Sequence, residues 1–255
     1  MALLFDHSFA GATLPAGLTM SANGVEAVSS DDYPYGISGR IYPGTAPDGS
    51  PAVCCRLTGA DAEAAGGLRS EFSLDKGDAL VAPDSERWYV WDVWLPDTHT
   101  PNVRTSIGQI HDDPDDGEPV VKAPNLEFIT YAGKVSIDIP KNCPTEQAGF
   151  RTLAAVPLVT GRWVQCAIHA KWETDATGFL EIAFDGRLVG REWNRACHFA
   201  DIKRPYLKLG LYDTYHGGIA GDYSAWYRNL RIYGGRHSAS EVLGGHILPR
   251  VRSVR

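Results

Sequence analysis

The stretch Tyr206-Leu-Lys-Leu-Gly-Leu-Tyr212 alternates without a break. Read at the two-residue period of a β-strand, Leu207, Leu209 and Leu211 point one way while Tyr206, Lys208, Gly210 and Tyr212 point the other. The leucines suit the core of a sandwich. The opposite face sets a cation and a phenol two positions either side of a glycine, where no side chain blocks an approaching ligand. One strand thus has a core side and a working side.

Two further stretches repeat the pattern. In Ile107-Gly-Gln-Ile-His111, alternation puts Gln109 and His111 on one face and Gly108 and Ile110 on the other. In Leu68-Arg-Ser-Glu-Phe72 it sets Arg69 and Glu71 against Leu68, Ser70 and Phe72. If the three strands lie side by side in one sheet, Arg69, Gln109, His111, Lys208 and Tyr212 converge on one groove.

At 255 residues and 44% hydrophobic content the chain can bury a full core, and a single domain over 1–255 is expected, with a monomer as the expected state. A net charge of -7 argues against general nucleic-acid or anionic-membrane binding. It leaves room for an anionic ligand, because a local basic groove sets the field at contact range. Five cysteines, two of them adjacent, do not make a disulfide framework, and none shows zinc-ligand spacing. Cys54 and Cys55 should face opposite sides of a strand, and Cys166 should be a small buried hydrophobe. Met1-Ala-Leu-Leu-Phe-Asp-His7 has no basic signal-peptide head, and no run approaches the length of a membrane span. The expected location is extracellular or periplasmic, with the signal already removed or with another route out of the cell, such as association with a phage.

No window of a dozen residues carries a 3.6-residue period, whereas short β-rich runs bounded by Gly, Pro, Asn and Asp recur throughout. The predicted fold is all-β, a two-sheet jelly roll with a concave groove. Fourteen strands are predicted, among them single strands over Met20–Val28 and Gly36–Tyr42, with a long loop over Pro140–Thr160. Ala132-Gly133 and Asp185-Gly186 read as tight hairpin turns. The segment Gly161 to Gly186 resembles a strand pair of concanavalin-like sandwiches, and Trp163 and Trp172 within it read as core or edge packing.

Arg69-Ser-Glu71, Gln109-Ile-His111 and Lys208-Leu-Gly-Leu-Tyr212 stand in the order and rough spacing of the Arg-x-Glu, Gln-x-His and Lys-x-Gly-x-Tyr signatures of jelly-roll polysaccharide lyases. The chain resembles the alginate lyase, glucuronan lyase and heparin-lyase-I type enzymes over about Leu68 to Tyr233. It departs from the usual alginate lyase pattern at two places: Ser73 replaces a second arginine, and Asp213-Thr214 replaces Asn-Gln. The resemblance implies an acidic polysaccharide substrate, a uronate polymer, and cleavage by β-elimination. That reaction takes the proton from C5, beside the sugar carboxylate, and expels the oxygen from C4. Gln109, Arg69 and His111 would stabilise the enolate-like charge at that carboxylate. Tyr212 would be the acid, and the base too when proton and leaving group lie on the same side; His111 would be the base when they are opposed. A phenol with an ordinary pKa of about 10 needs cations to favour phenolate, and Lys208 and Arg69 are the candidates. Glu71 would orient Arg69, and Tyr206 and His216 would border the bound chain.

Other clusters are weaker. Asp112-Asp-Pro-Asp-Asp-Gly-Glu118 offers hard oxygens for a structural Ca²⁺ but lacks EF-hand spacing, so a solvated loop and no cofactor are expected. Two alternative functions fit the same chain. One is a non-catalytic carbohydrate-binding sandwich in which Trp163, Trp193 and Trp226 stack on sugars. The other is a glycoside hydrolase, which needs two flanking carboxylates; only the fragment Glu173-Thr-Asp175 of a sandwich-hydrolase motif is present.

Overall fold

The computed structural model describes residues 2–64, 67–74, 86–101, 103–112, 123–141, 143, 149–199, 205–213 and 219–243. The strands are β1 (Ala2–His7), β2 (Leu18–Ala22), β3 (Val25–Ser29), β4 (Ile41–Thr45), β5 (Pro51–Thr58), β6 (Arg69–Leu74), β7 (Glu86–Trp94) and β8 (Thr105–His111). They continue with β9 (Leu126–Tyr131), β10 (Lys134–Pro140), β11 (Phe150–Pro157), β12 (Trp163–Lys171), β13 (Phe179–Phe184), β14 (Arg187–Trp193), β15 (Tyr206–Asp213) and β16 (Asp222–Gly234). A one-turn helix, α1 (Ala239–Val242), follows; Ser238 and Glu241 cap it reciprocally.

Among the described residues all strand pairings are antiparallel and form two eight-stranded sheets. Sheet A runs β14-β13-β12-β7-β16-β5-β4, with β1 also on β16; sheet B runs β11-β10-β9-β8-β15-β6-β2-β3. The long β16 accommodates two partners on one side, β5 along its first half and β1 along its last residues. Between the sheets lies one continuous core, in which Leu207, Leu209 and Leu211 are at most 3% exposed. Each such side chain contributes roughly 1.5–3 kcal/mol by leaving water. Aromatic edges interlock across it: Trp91 meets Phe128 at 5.4 Å and Phe72 meets Tyr227 at 5.8 Å. Outside sheet A, α1 covers a smaller apolar cluster of Trp88, Val90, Ala167 and Tyr233. No helix among the described residues is long and apolar enough to cross a membrane.

The two predicted turns form, with left-handed residues at Ala132-Gly133 and Asp185-Gly186. Cys54, Cys55 and Cys166 are buried free thiols. Trp172 is buried, its indole N–H donating to the Tyr89 hydroxyl at 3.1 Å, and Trp163 packs edge-on against Trp94.

Three expectations change. The strand expected over 20–28 is a hairpin, because Asn23 and Gly24 adopt φ of 43° and 77° and turn the chain between β2 and β3. The loop expected over 140–160 contains β11, an edge strand on β10. The stretch 36–42 is mostly turn, with only an isolated bridge from Ile37 to Ile41 before β4 begins.

Candidate functional site

Sheet B places β8, β15 and β6 side by side, so the three motif strands are neighbours. Their register aligns the polar residues. Lys208 lies opposite Gln109 on one side and Ser73 on the other, and the same rung continues through Thr19 on β2, Glu127 on β9, Asp138 on β10 and Thr152 on β11. A single polar rung thus crosses seven strands on the face turned away from the core. On one side of it Tyr206 faces His111; on the other Gly210 faces Glu71, and then Tyr212 faces Arg69.

These groups are polar and nearly dry. Arg69 is 8% exposed, Glu71 4%, Gln109 1% and Glu127 5%. Glu71 is the hub: its carboxylate accepts from Gln109 Nε2 at 2.6 Å and pairs with Arg69 at 3.4 Å. An amide nitrogen has two hydrogens, so Gln109 keeps one for a ligand while the other fixes its rotamer. The Arg69 guanidinium lies 4.5 Å from the centroid of the Tyr212 ring.

His111 Nδ1 is 2.6 Å from the Asp112 carbonyl. A carbonyl only accepts, so the proton sits on Nδ1 and Nε2 carries the basic lone pair. The His111 ring lies 6.1 Å from that of Tyr206, over which Lys208 Nζ stands at 5.6 Å. At Tyr212 burial wins over Arg69. Desolvation raises the phenol's pKa above its ordinary value, Arg69 lowers it by less, and Glu71, Glu127 and Asp213 add to the rise. Tyr212 is therefore a phenol in the unliganded protein, and the nearby cations do not offset its burial.

Glu127 is the residue that sequence reasoning missed. Burial, with help from Glu71 and Asp138, pushes its carboxyl up to about 8, against the pull of Arg104 and Lys208. Asp138, its rung neighbour, is held by Arg104 and by the Thr152 hydroxyl at 2.8 Å. In Leu126-Glu-Phe-Ile the glutamate reads as one more polar residue of an alternating strand; only the register with Gln109 gives it a place in the site.

Gly210 proves necessary for another reason than ligand access. Its φ is 139°, and a Cβ there would sit 2.2 Å from the Ser70 carbonyl oxygen. The register of β15 against β8 shifts at this point, between Leu209 and Tyr212. From across the core, the buried Tyr227 hydroxyl on β16 is 2.9 Å from the Ile107 carbonyl and 3.0 Å from that of Gly210. The irregularity that aims Tyr212 is anchored from the opposite sheet.

Arg69, Glu71, Gln109, His111, Tyr206, Lys208 and Tyr212 thus share one face of three adjacent strands. His216 lies outside the described residues, as do positions 113–118 of the acidic loop. No group of three His, Cys, Asp or Glu among the described residues is arranged to hold a metal ion.

A profile of the family described as polysaccharide lyase matches residues 42–231. Among solved structures, the chain is similar to the endo-beta-1,4-glucuronan lyase of the fungus Trichoderma reesei, at 19% identity and a TM-score of 0.63, over 86% of this chain and 94% of that one. It is also similar to alginate lyase A1-II', a member of polysaccharide lyase family 7 (16% identity, TM-score 0.64, 87% and 96% covered). Alginate lyase PA1167 of Pseudomonas aeruginosa gives 16% identity and a TM-score of 0.59, with 85% and 97% covered. No curated protein sequence matches the chain. At these identities the structural likeness speaks for the jelly-roll fold.

Proposed function

The chain belongs to the polysaccharide lyase family, and from that premise we propose that it cleaves a uronate polymer by β-elimination on the outer face of sheet B. The solved structures it resembles are a glucuronan lyase and alginate lyases, which brings polymers of uronic acids forward as the substrate class. The observation that carries the reading is the register that lines up Arg69, Glu71, Gln109, His111, Lys208 and Tyr212 across β6, β15 and β8.

The geometry supports the following division of labour. Gln109 offers its second amide hydrogen, and Arg69 its guanidinium, to the sugar carboxylate. Donors fixed before the reaction stabilise the charge that grows there as C5 loses its proton. Glu71 holds both donors and would not itself meet the substrate. Lys208 adds a positive charge between them. Tyr212, kept protonated by burial, gives its proton to the O4 leaving oxygen as the C4–O bond breaks and the C4–C5 double bond forms. Arg69 against its ring favours the phenolate left behind. His111, basic at Nε2, takes the C5 proton when it lies opposite the leaving group. A same-side elimination by Tyr212 alone would require the phenol to ionise first, which its burial disfavours.

Incubation with alginate, glucuronan, heparin, hyaluronan and a bacterial exopolysaccharide tests the reading through the ultraviolet absorbance of the unsaturated product. Products with saturated new ends by mass spectrometry would mean hydrolysis and overturn it.

A further inference from the structure

The outer face of sheet A carries a second set of residues in register. Trp88, His169, Glu181 and Arg191 lie opposite one another across β7, β12, β13 and β14; one step along, Glu86, Lys171, Phe179 and Trp193 do the same. Rings connect the two rungs. His169 stacks on Trp88 with centroids 4.1 Å apart, Phe179 meets His169 edge-on at 4.8 Å, and Trp193 stacks on Phe179 at 4.6 Å and 18°. Trp88, His169 and Phe179 are all below 10% exposure, but Trp193, at the end of the ladder, is 52% exposed. The half-exposed indole is thus a rigidly held apolar surface open to a ligand, with the Arg191 guanidinium 5.9 Å from its centroid.

Beside it opens a cleft of about 570 Å³, lined by Phe179, Trp193, Lys171, Thr177, Asn194 and Arg236 among others. Its chemistry suits a sugar. A pyranose presents an apolar C–H face, which stacks on indole, and a rim of hydroxyls, for which the Asn194 amide is a partner, along with the second lone pair of the Thr177 hydroxyl, which donates to Asp175 at 2.6 Å and accepts from Lys171 at 3.3 Å. The cleft's two cations, Lys171 and Arg236, are each paired with a carboxylate, Glu173 at 3.3 Å and Glu86 at 3.1 Å, so the cleft is close to balanced in charge within a chain that carries -7 overall, and a ligand carboxylate could exchange for either partner. Glu86 is itself occupied, 3.1 Å from Arg236 Nε and 3.4 Å from His169 Nε2.

We propose that this cleft is a second, non-catalytic binding site for the acidic polysaccharide, on the opposite face of the sandwich from Tyr212. The identity of the ligand rests on the lyase reading above. A long chain held there stays at high effective concentration near the catalytic face, while a fragment too short to reach both faces gains nothing.

The test is electrophoresis of the full chain through gels cast with glucuronan, with alginate or with neutral hydroxyethylcellulose. The protein carries Tyr212→Phe to prevent turnover, with and without Trp193→Ala or Arg236→Ala. Arg236 has a 92% exposed side chain, so its removal leaves packing untouched. Each second substitution should weaken retention by the acidic gels roughly three- to tenfold, the scale of losing one stacking or ionic contact. In the otherwise unaltered chain, Trp193→Ala should raise KM for polymer and not for a tetrasaccharide of the same sugar. Unchanged retention and unchanged KM in both variants would overturn the site. Equal retention by hydroxyethylcellulose would overturn the acidic class. If no polymer is cut yet retention still depends on Trp193 and Arg236, the cleft stands and the lyase reading falls.

Discussion

On β6 of sheet B, Arg69 and Glu71 are 8% and 4% exposed and 3.4 Å apart, whereas on sheet A the pair Arg191–Glu181 closes at 2.8 Å with side chains 41% and 16% exposed. Both set an arginine and a glutamate near an aromatic ring, the first pair along one strand and the second across two. The exposed pair is the tighter one. Polar groups buried at a loose separation carry a desolvation cost that water cannot relieve. On sheet B that cost is spread over Arg69, Glu71, Gln109 and Glu127, and a bound carboxylate would offset it. On sheet A the charges satisfy one another and the ring is left to the solvent. Dry, pre-aimed polar groups are what bond-breaking needs; an exposed ring with paired charges suffices for holding.

The comparison is most exposed at Tyr212. Tyr212→Phe keeps the ring under Arg69 and removes the proton, so kcat should fall by about 10²–10⁴ while the melting temperature stays near the parent's. Tyr206→Phe should retain most activity, since its phenol faces His111 rather than Arg69. If the two variants trade places in a turnover assay, the acid has been assigned to the wrong end of the strand. His111→Ala should then match the loss at Tyr212; a mild loss would show that tyrosine works alone in a same-side reaction.

Gln109→Ala and Arg69→Ala should each lower kcat about a hundredfold, as loss of one preorganised donor does. A thermal melt must accompany the second. A large fall in melting temperature for Arg69→Ala, with activity per folded molecule preserved, would return the arginine to structural duty.

Glu127 sharpens the contrast through pH. Its carboxyl is pushed up to about 8 in the fold, from an ordinary 4.5. Between those values the native chain holds a proton that the unfolded chain has lost, so stability is full below about pH 4.5 and declines as pH rises toward 8. The whole shift corresponds to about 3–5 kcal/mol at most. Glu127→Gln should abolish that slope in melts from pH 5 to 9 and leave the variant more stable than the parent at the alkaline end. It should also keep its affinity for acidic polymer above pH 8, where the parent gains a buried negative charge. Parallel stability curves for parent and variant would remove Glu127 from this role. The smallest effect belongs to sheet A: Arg191→Ala should cost about 0.2–1 kcal/mol in chemical denaturation, because the Arg191 side chain is itself 41% exposed.

Much of this site was legible in one dimension. The alternation in Tyr206–Tyr212 is strict, and every leucine it turned inward is buried. The motif strands carry their polar residues at even spacing, so their common face followed once the strands were neighbours. What escaped reading is what depends on partners far along the chain. Glu127 becomes a site residue only through Gln109, across a pairing no local pattern encodes. Gly210 was read as clearance for a ligand, whereas the backbone of β6 leaves room for nothing larger. β11 was hidden because, as an edge strand with most side chains half-exposed, it lacks clean alternation. The Asn23-Gly24 turn was passed over because small and apolar residues continue through it at even spacing.

The Tyr227 hydroxyl has a part to play before any substrate arrives. It belongs to β16, and its two carbonyl neighbours belong to β8 and β15 of the other sheet, 120 and 17 residues away in sequence. While the sheets are apart, water serves all three groups. A closure with β15 slipped by one residue would turn Lys208 into the leucine layer. It would also bury the phenol and both carbonyls unsatisfied, at roughly 1–3 kcal/mol each. One hydroxyl thus acts as a proofreader of assembly, penalising the mis-docked sandwich more than it rewards the correct one, and the chain that passes is the one whose tyrosines and arginine are already aimed.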